Sequence, residues 1–87
     1  MALADLKQIH EYISQDSKFY ADRFVEKILD KVDQLESFQK SGKIVPEFND
    51  EMIRELIEGN YRIVYKIYPG HVGIARVHHA SRLLKHQ

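Results

Sequence analysis

The segment Tyr61-Arg62-Ile63-Val64-Tyr65-Lys66-Ile67-Tyr68 decides the fold. Its side chains alternate: Tyr61, Ile63, Tyr65 and Ile67 face one way, and Arg62, Val64, Lys66 and Tyr68 the other, the period of a strand. Turn formers bracket it, Glu58-Gly59-Asn60 before and Pro69-Gly70 after. Met52–Ile57 and Val72–His78 lie beyond those turns, so the spacing predicts a three-stranded antiparallel meander, with strands at about 52–57, 61–68 and 72–78. Upstream the period lengthens. Leu3, Leu6, Ile9 and Ile13 recur every three or four residues and predict a helix over about 2–14. Ser14-Gln15-Asp16-Ser17 breaks it, with Asp16 or Ser17 able to cap a second helix. A stripe of Tyr20, Phe24, Ile28, Val32, Leu35 and Phe38 then predicts that helix over about 18–38, with Gly42 as terminator. The fold class is α+β: an N-terminal antiparallel helical hairpin packed on a small antiparallel β-sheet, one sheet face against the helices and the other open.

The 87 residues fit one domain spanning 1–87. The absence of cysteine excludes a disulfide scaffold, a thiolate zinc site and a thiol nucleophile, and agrees with a reducing compartment. Apolar runs of only a few residues predict neither a membrane span nor a signal-peptide core, hence a soluble, cytoplasmic domain. At 44% hydrophobic and 30% charged residues, the chain is no disordered tail. Its net charge is zero, but unevenly laid out. Residues 1–58 carry 8 Lys/Arg and all 13 Asp/Glu, a balance of −5, whereas 59–87 carry Arg62, Lys66, Arg76, Arg82 and Lys85 and no acid, a balance of +5. His71, His78, His79 and His86 lie in the basic part as well. Such a segment suits phosphate or an acidic partner, while neutrality overall weakens long-range steering towards nucleic acid.

Several residues carry possible chemistry. Arg62 and Lys66 share a strand face with Tyr68, able to grip a phosphate or stack on a base, or simply to be solvated. Arg76 and His78 share a face of the last strand, with His79 and Arg82 at its exit, and histidine can serve as acid or base near neutrality. Glu47 follows Pro46, which stiffens the chain there. A carboxylate held near Arg62 is either a general base for a hydroxyl or, as more such residues are, one half of a structural ion pair. No histidine pair at helical spacing stands beside a carboxylate, so no metal site is expected.

Three stretches in order, Gly42-Lys43-Ile44-Val45-Pro46-Glu47-Phe48, Ile53 to Lys66, and Val77-His78-His79-Ala80-Ser81-Arg82-Leu83, resemble the RelE/ParE superfamily of toxins, as does the helical opening Ala2 to Ile9. The resemblance covers essentially the whole chain. It implies the growth-inhibiting toxin of a type II toxin–antitoxin (plasmid stabilisation) module, without a cofactor and neutralised by a cognate antitoxin. Antitoxin segments of this kind fold on binding, and an acidic one would complement the basic last third.

Two mechanisms live on that fold. ParE-like members inhibit DNA gyrase and are not nucleases; RelE-like and YoeB-like members cleave messenger RNA on the ribosome. For the nuclease, the resemblance makes Arg62 a contact to the scissile phosphate, Glu47 the base, His78 the acid and Arg82 a second phosphate ligand. Neutral charge, no lysine cluster and no C-terminal tyrosine favour the ParE-like branch. A third alternative is an inactive, truncated homologue that only binds an antitoxin. Superfamily members open with a β-strand that would precede Met1, so the resemblance implies that a first strand is missing. An exposed sheet edge and self-association are then expected.

Overall fold

The computed structural model describes residues 2–80. Helix α1 (Ala2–Ser14) and helix α2 (Lys18–Gln34) are followed by strands β1 (Lys43–Ile44), β2 (Ile53–Glu58), β3 (Tyr61–Tyr68) and β4 (His71–His79). The sheet is antiparallel throughout, in the order β1-β2-β3-β4. The helical hairpin on a small antiparallel sheet is the architecture expected from the sequence, with one strand more than the meander predicted. β1 is two residues long, with Lys43 opposite Glu55 and Ile44 opposite Arg54, too short to show a period.

Ser17 caps α2: its backbone is extended (φ −160°, ψ 112°) and its Oγ accepts the Tyr20 amide at 3.2 Å. The helix ends at Gln34, short of the predicted 38. Leu35, 1% exposed, is the last residue of the stripe to enter the core, and Phe38 turns outward at 68% exposure. Beyond the helix the chain is held by Tyr65. Its ring is fully buried, its hydroxyl donates to the Gln39 carbonyl at 2.7 Å, and the same oxygen accepts the Gly42 amide at 3.0 Å. Gly42 is a close-approach glycine here and no helix terminator: a Cβ would stand 2.6 Å from both the Tyr65 hydroxyl and the Glu55 carbonyl. Arg54 fastens the same stretch by donating from Nη1 to the Gly42 carbonyl at 2.9 Å.

Both hairpin turns behave as read. Gly59 has φ 57° at the first central position between Glu58 and Tyr61, the type II′ requirement, and Pro69-Gly70 (Gly70 φ 80°) has the type II pattern. On the helix side, Ile28, Ile63 and Val77 form the core, joined by Leu6, Ile9, Phe24, Val32, Leu56 and Ile74. Ile74 and Val77 are three apart, which strict alternation would put on opposite faces. A β-bulge resolves this: Val64 pairs with Arg76 but Tyr65 pairs with Ile74, leaving Ala75 over.

The opposite face departs from the expectation of an open surface. Arg62 (7% exposed) and Val64 (4%) are both buried, because the connection from β1 to β2 brings Glu47 to Arg62 on that side. The stretch 62–65 of β3 is therefore covered on both faces. Replacing Tyr65 by Phe leaves the Gly42 amide and the Gln39 carbonyl without their buried partner, so Tyr65→Phe should cost about 1–3 kcal/mol. Chemical denaturation checks this; an unchanged midpoint at unchanged m-value would show that Tyr65 does not tether the loop.

Candidate functional site

Arg62 lies between two carboxylates. Its Nε and Nη2 donate to Glu55 (3.0 and 2.8 Å), and its Nη1 and Nη2 donate to Glu47 (2.9 and 3.0 Å). Both pairs are bidentate, the geometry in which a guanidinium binds a carboxylate best. The side chains are 8% (Arg62), 3% (Glu55) and 16% (Glu47) exposed. Local structure explains the convergence: Ile57 pairs with Arg62 across β2 and β3, so Glu55, two residues earlier, projects from the same face. Glu47 arrives from the connection, whose turn includes Asn49 in the left-handed region (φ 49°). Hydrogen bonds donated to Glu47 and then to Glu55 hold the Arg62 guanidinium protonated far above the ordinary arginine range, against the opposing effect of burial. A depression of about 530 Å³ opens in front of the triad, lined by Lys43, Pro46, Glu47, Glu55, Ile57, Arg62 and Ala80.

Of the residues singled out for catalysis, Glu47 and Arg62 are brought into direct contact. His78 stands opposite Arg62 in the β3–β4 register with its Nε2 buried, but it lines a different depression, beside α1. Arg82 lies outside the described residues. Of the residues expected to bind a partner or phosphate (Arg62, Lys66, Arg76, His79 and Arg82), Arg76 lines the depression beside α1 with His79 and a second one with Lys66, while Arg62 lies in the depression of the triad. Lys66 sits over the Tyr68 ring, Nζ 5.3 Å from its centroid, and His79 meets Tyr61 edge-on at 5.4 Å. Arg76 is engaged by α1: its Nε and Nη2 donate to Asp5 at 2.7 and 3.0 Å. Among the described residues no group of three His, Asp or Glu side chains could hold a metal ion, and no helix is long and apolar enough to cross a membrane.

Sequence reasoning missed two partners, Glu55 and Asp5. Glu55 had a legible signal, an acid placed two residues before Ile57, the residue opposite Arg62 in the hairpin. Asp5 had none, since it meets β4 from 71 residues away. Asp5 also accepts the Val77 backbone amide at 3.0 Å, so a helix carboxylate covers one backbone donor on the outer edge of β4. A strand added at that edge, from a second copy or another chain, would have to displace it.

Burial pushes the Asp5 carboxyl up, but the hydrogen bonds from Arg76 and Val77 and the Arg76 charge outweigh it and hold the group below the ordinary aspartate range. Folded protein therefore binds this proton less readily than the unfolded chain. The stability from Asp5 is complete above the unfolded value of about 4 and is lost as pH falls below it, through the folded pKa. In thermal melts at a series of pH values, Asp5→Asn should flatten the decline below about pH 4 relative to wild type; parallel acid limbs would remove Asp5 from the account. Arg62→Ala strands the buried Glu55 carboxylate and the half-buried Glu47 and should destabilise by about 3–5 kcal/mol, whereas Glu47→Ala removes the most exposed member and should cost less. Equal denaturation midpoints for the two variants would contradict the triad.

Residues 1–84 match the family described as ParE toxin of type II toxin-antitoxin system, parDE. A curated protein of Caulobacter vibrioides named Toxin RelE2 is 33% identical over 82 residues, which is 94% of this chain and 90% of that protein. With its two helices, its antiparallel sheet and this match over nearly its whole length, the chain belongs to the ParE toxin family of type II toxin–antitoxin systems.

Proposed function

We propose that this toxin acts as a ParE-like inhibitor of DNA gyrase, a growth-arresting protein–protein poison without turnover. Family membership implies a cognate antitoxin and favours the gyrase branch. The observation that carries the reading is the state of Arg62. At least four of its five N–H donors are taken by carboxylates, and both Glu47 oxygens accept from it. A phosphate approaching this group meets two negative charges against one positive. A general base must aim a lone pair at its substrate, and in this arrangement both oxygens of the base of the nuclease scheme are turned towards its phosphate ligand.

The alternative, a ribosome-dependent messenger RNA endonuclease, draws support from the adjacency of Glu47 and Arg62 and from the similarity to a protein named Toxin RelE2. In that case Glu47, Arg62, His78 and Arg82 are the catalytic set. Purified toxin without antitoxin separates the two in a paired assay, one arm following gyrase supercoiling and DNA cleavage, the other a messenger translated on ribosomes. Gyrase-dependent breaks with intact messenger are expected. Cut messenger with unaffected gyrase would reverse the assignment, and silence in both arms would leave a homologue that only binds its antitoxin.

A further inference from the structure

On the sheet face turned away from the helices, β4 offers almost no side chain between Tyr68 and Arg76. Gly73 stands opposite Lys66, and the Tyr68 ring, stacked on His71 (4.8 Å, 7° between planes), leans over it so closely that a Cβ would lie 3.1 Å away. Two residues on, the β-bulge leaves Ala75 over, with only a methyl group to offer. The result is an apolar cleft of about 260 Å³, lined by Val64, by Tyr68 and by Phe48 from the β1–β2 connection. Lys66 and Arg76 line it too, and no carboxylate does. Lys66 forms no ion pair among the described residues; its Nζ lies 5.3 Å from the Tyr68 ring centroid. Arg76 gives Nε and Nη2 to Asp5, while its Nη1 bonds to no described residue. We propose that this cleft receives an acidic segment of the cognate antitoxin, which seats one apolar side chain in the cleft and sets carboxylates against Lys66 and Arg76.

The lining selects this occupant. An apolar side chain placed here is removed from water together with the cleft surface, and a carboxylate beside it meets two cations, one of them without an acid of its own. A phosphate backbone wants a run of cations and gains nothing from an apolar floor. The register fixes the spacing the partner must match. Arg76 is opposite Val64, so Lys66 and Arg76 stand on neighbouring strands and two residues apart along them, with Cα atoms roughly 8 Å from each other. Two acids flanking one apolar residue span that distance. The cleft shares no lining residue with the depression in front of the Arg62 triad, so the two surfaces can be perturbed separately. The inference rests on family membership, which implies the antitoxin, and not on the gyrase assignment.

Binding is read by NMR on the purified toxin, titrated with a capped peptide that carries one leucine between pairs of glutamates. Amide shifts should gather at Phe48, Lys66, Tyr68 and residues 73–76. Affinity should fall about tenfold with Lys66→Glu, with Ala75→Leu, which fills the cleft, and when serine replaces the leucine of the peptide. No shifts at millimolar peptide, or shifts indifferent to that leucine, would overturn the proposal, and this arm decides even where a toxin variant does not fold. The cognate antitoxin should displace the peptide from wild-type toxin and should bind folded Lys66→Glu about tenfold more weakly than wild type. Simultaneous binding of peptide and antitoxin, or wild-type antitoxin affinity in the folded variant, would assign the cleft to another partner and overturn the choice of occupant. Neither measurement contains gyrase or ribosomes, so a failure of the gyrase assignment is told apart from a failure of the cleft.

Discussion

A charged guanidinium cannot be taken into a protein interior alone, and Arg62 stands on the strand that everything else packs around. Neutralising it with Glu55 and Glu47 is the condition for burying the stretch 62–65 of β3 on both faces. Once that is met, Ile63 can form the floor for the helices, Tyr65 can gather the 39–42 segment, and the β1–β2 connection has a fixed landing point on the far side. The triad is thus both an element of the scaffold and the most chemically distinctive feature of the surface. That double role is why two activities can be argued from one set of side chains.

The uneven charge along the sequence takes on a different meaning in three dimensions. Two of the arginines that make the last third basic are matched by acids from the first two thirds, Arg62 by Glu47 and Glu55, Arg76 by Asp5. Arg62 is buried in its pairing, whereas Arg76, with its side chain 54% exposed, still presents charge to solvent.

Legibility followed the range of the physics. β3 and its two turns were plain because alternation, Gly59 and Pro69-Gly70 are local signals, and Ser17 was among the caps foreseen. The end of α2 is hidden in the sequence because Leu35 and Phe38 continue the helical spacing, while the contact that holds the chain just beyond it, the Tyr65 hydroxyl on the 39–42 segment, comes from a distant strand. β1 is too short to have a period, and the bulge at Ala75 is set by the need to bring Ile74 and Val77 to one core. At the candidate site, Glu47 and Arg62 were both marked and an ion pair between them was one of the readings. The second carboxylate went unseen because Glu55 looked like one more polar residue in an amphipathic strand.

The link from Asp5 to Arg76 and Val77 has a consequence for synthesis. Asp5, in the first turn of α1, is anchored in β4, 71 and 72 residues later. As the chain leaves the ribosome, α1 and α2 can form early, but the floor beneath them is incomplete until β4 has emerged. Contacts of such sequence separation are slow to close. The finished toxin surface is therefore a late product of translation, and the nascent chain spends most of its synthesis without it.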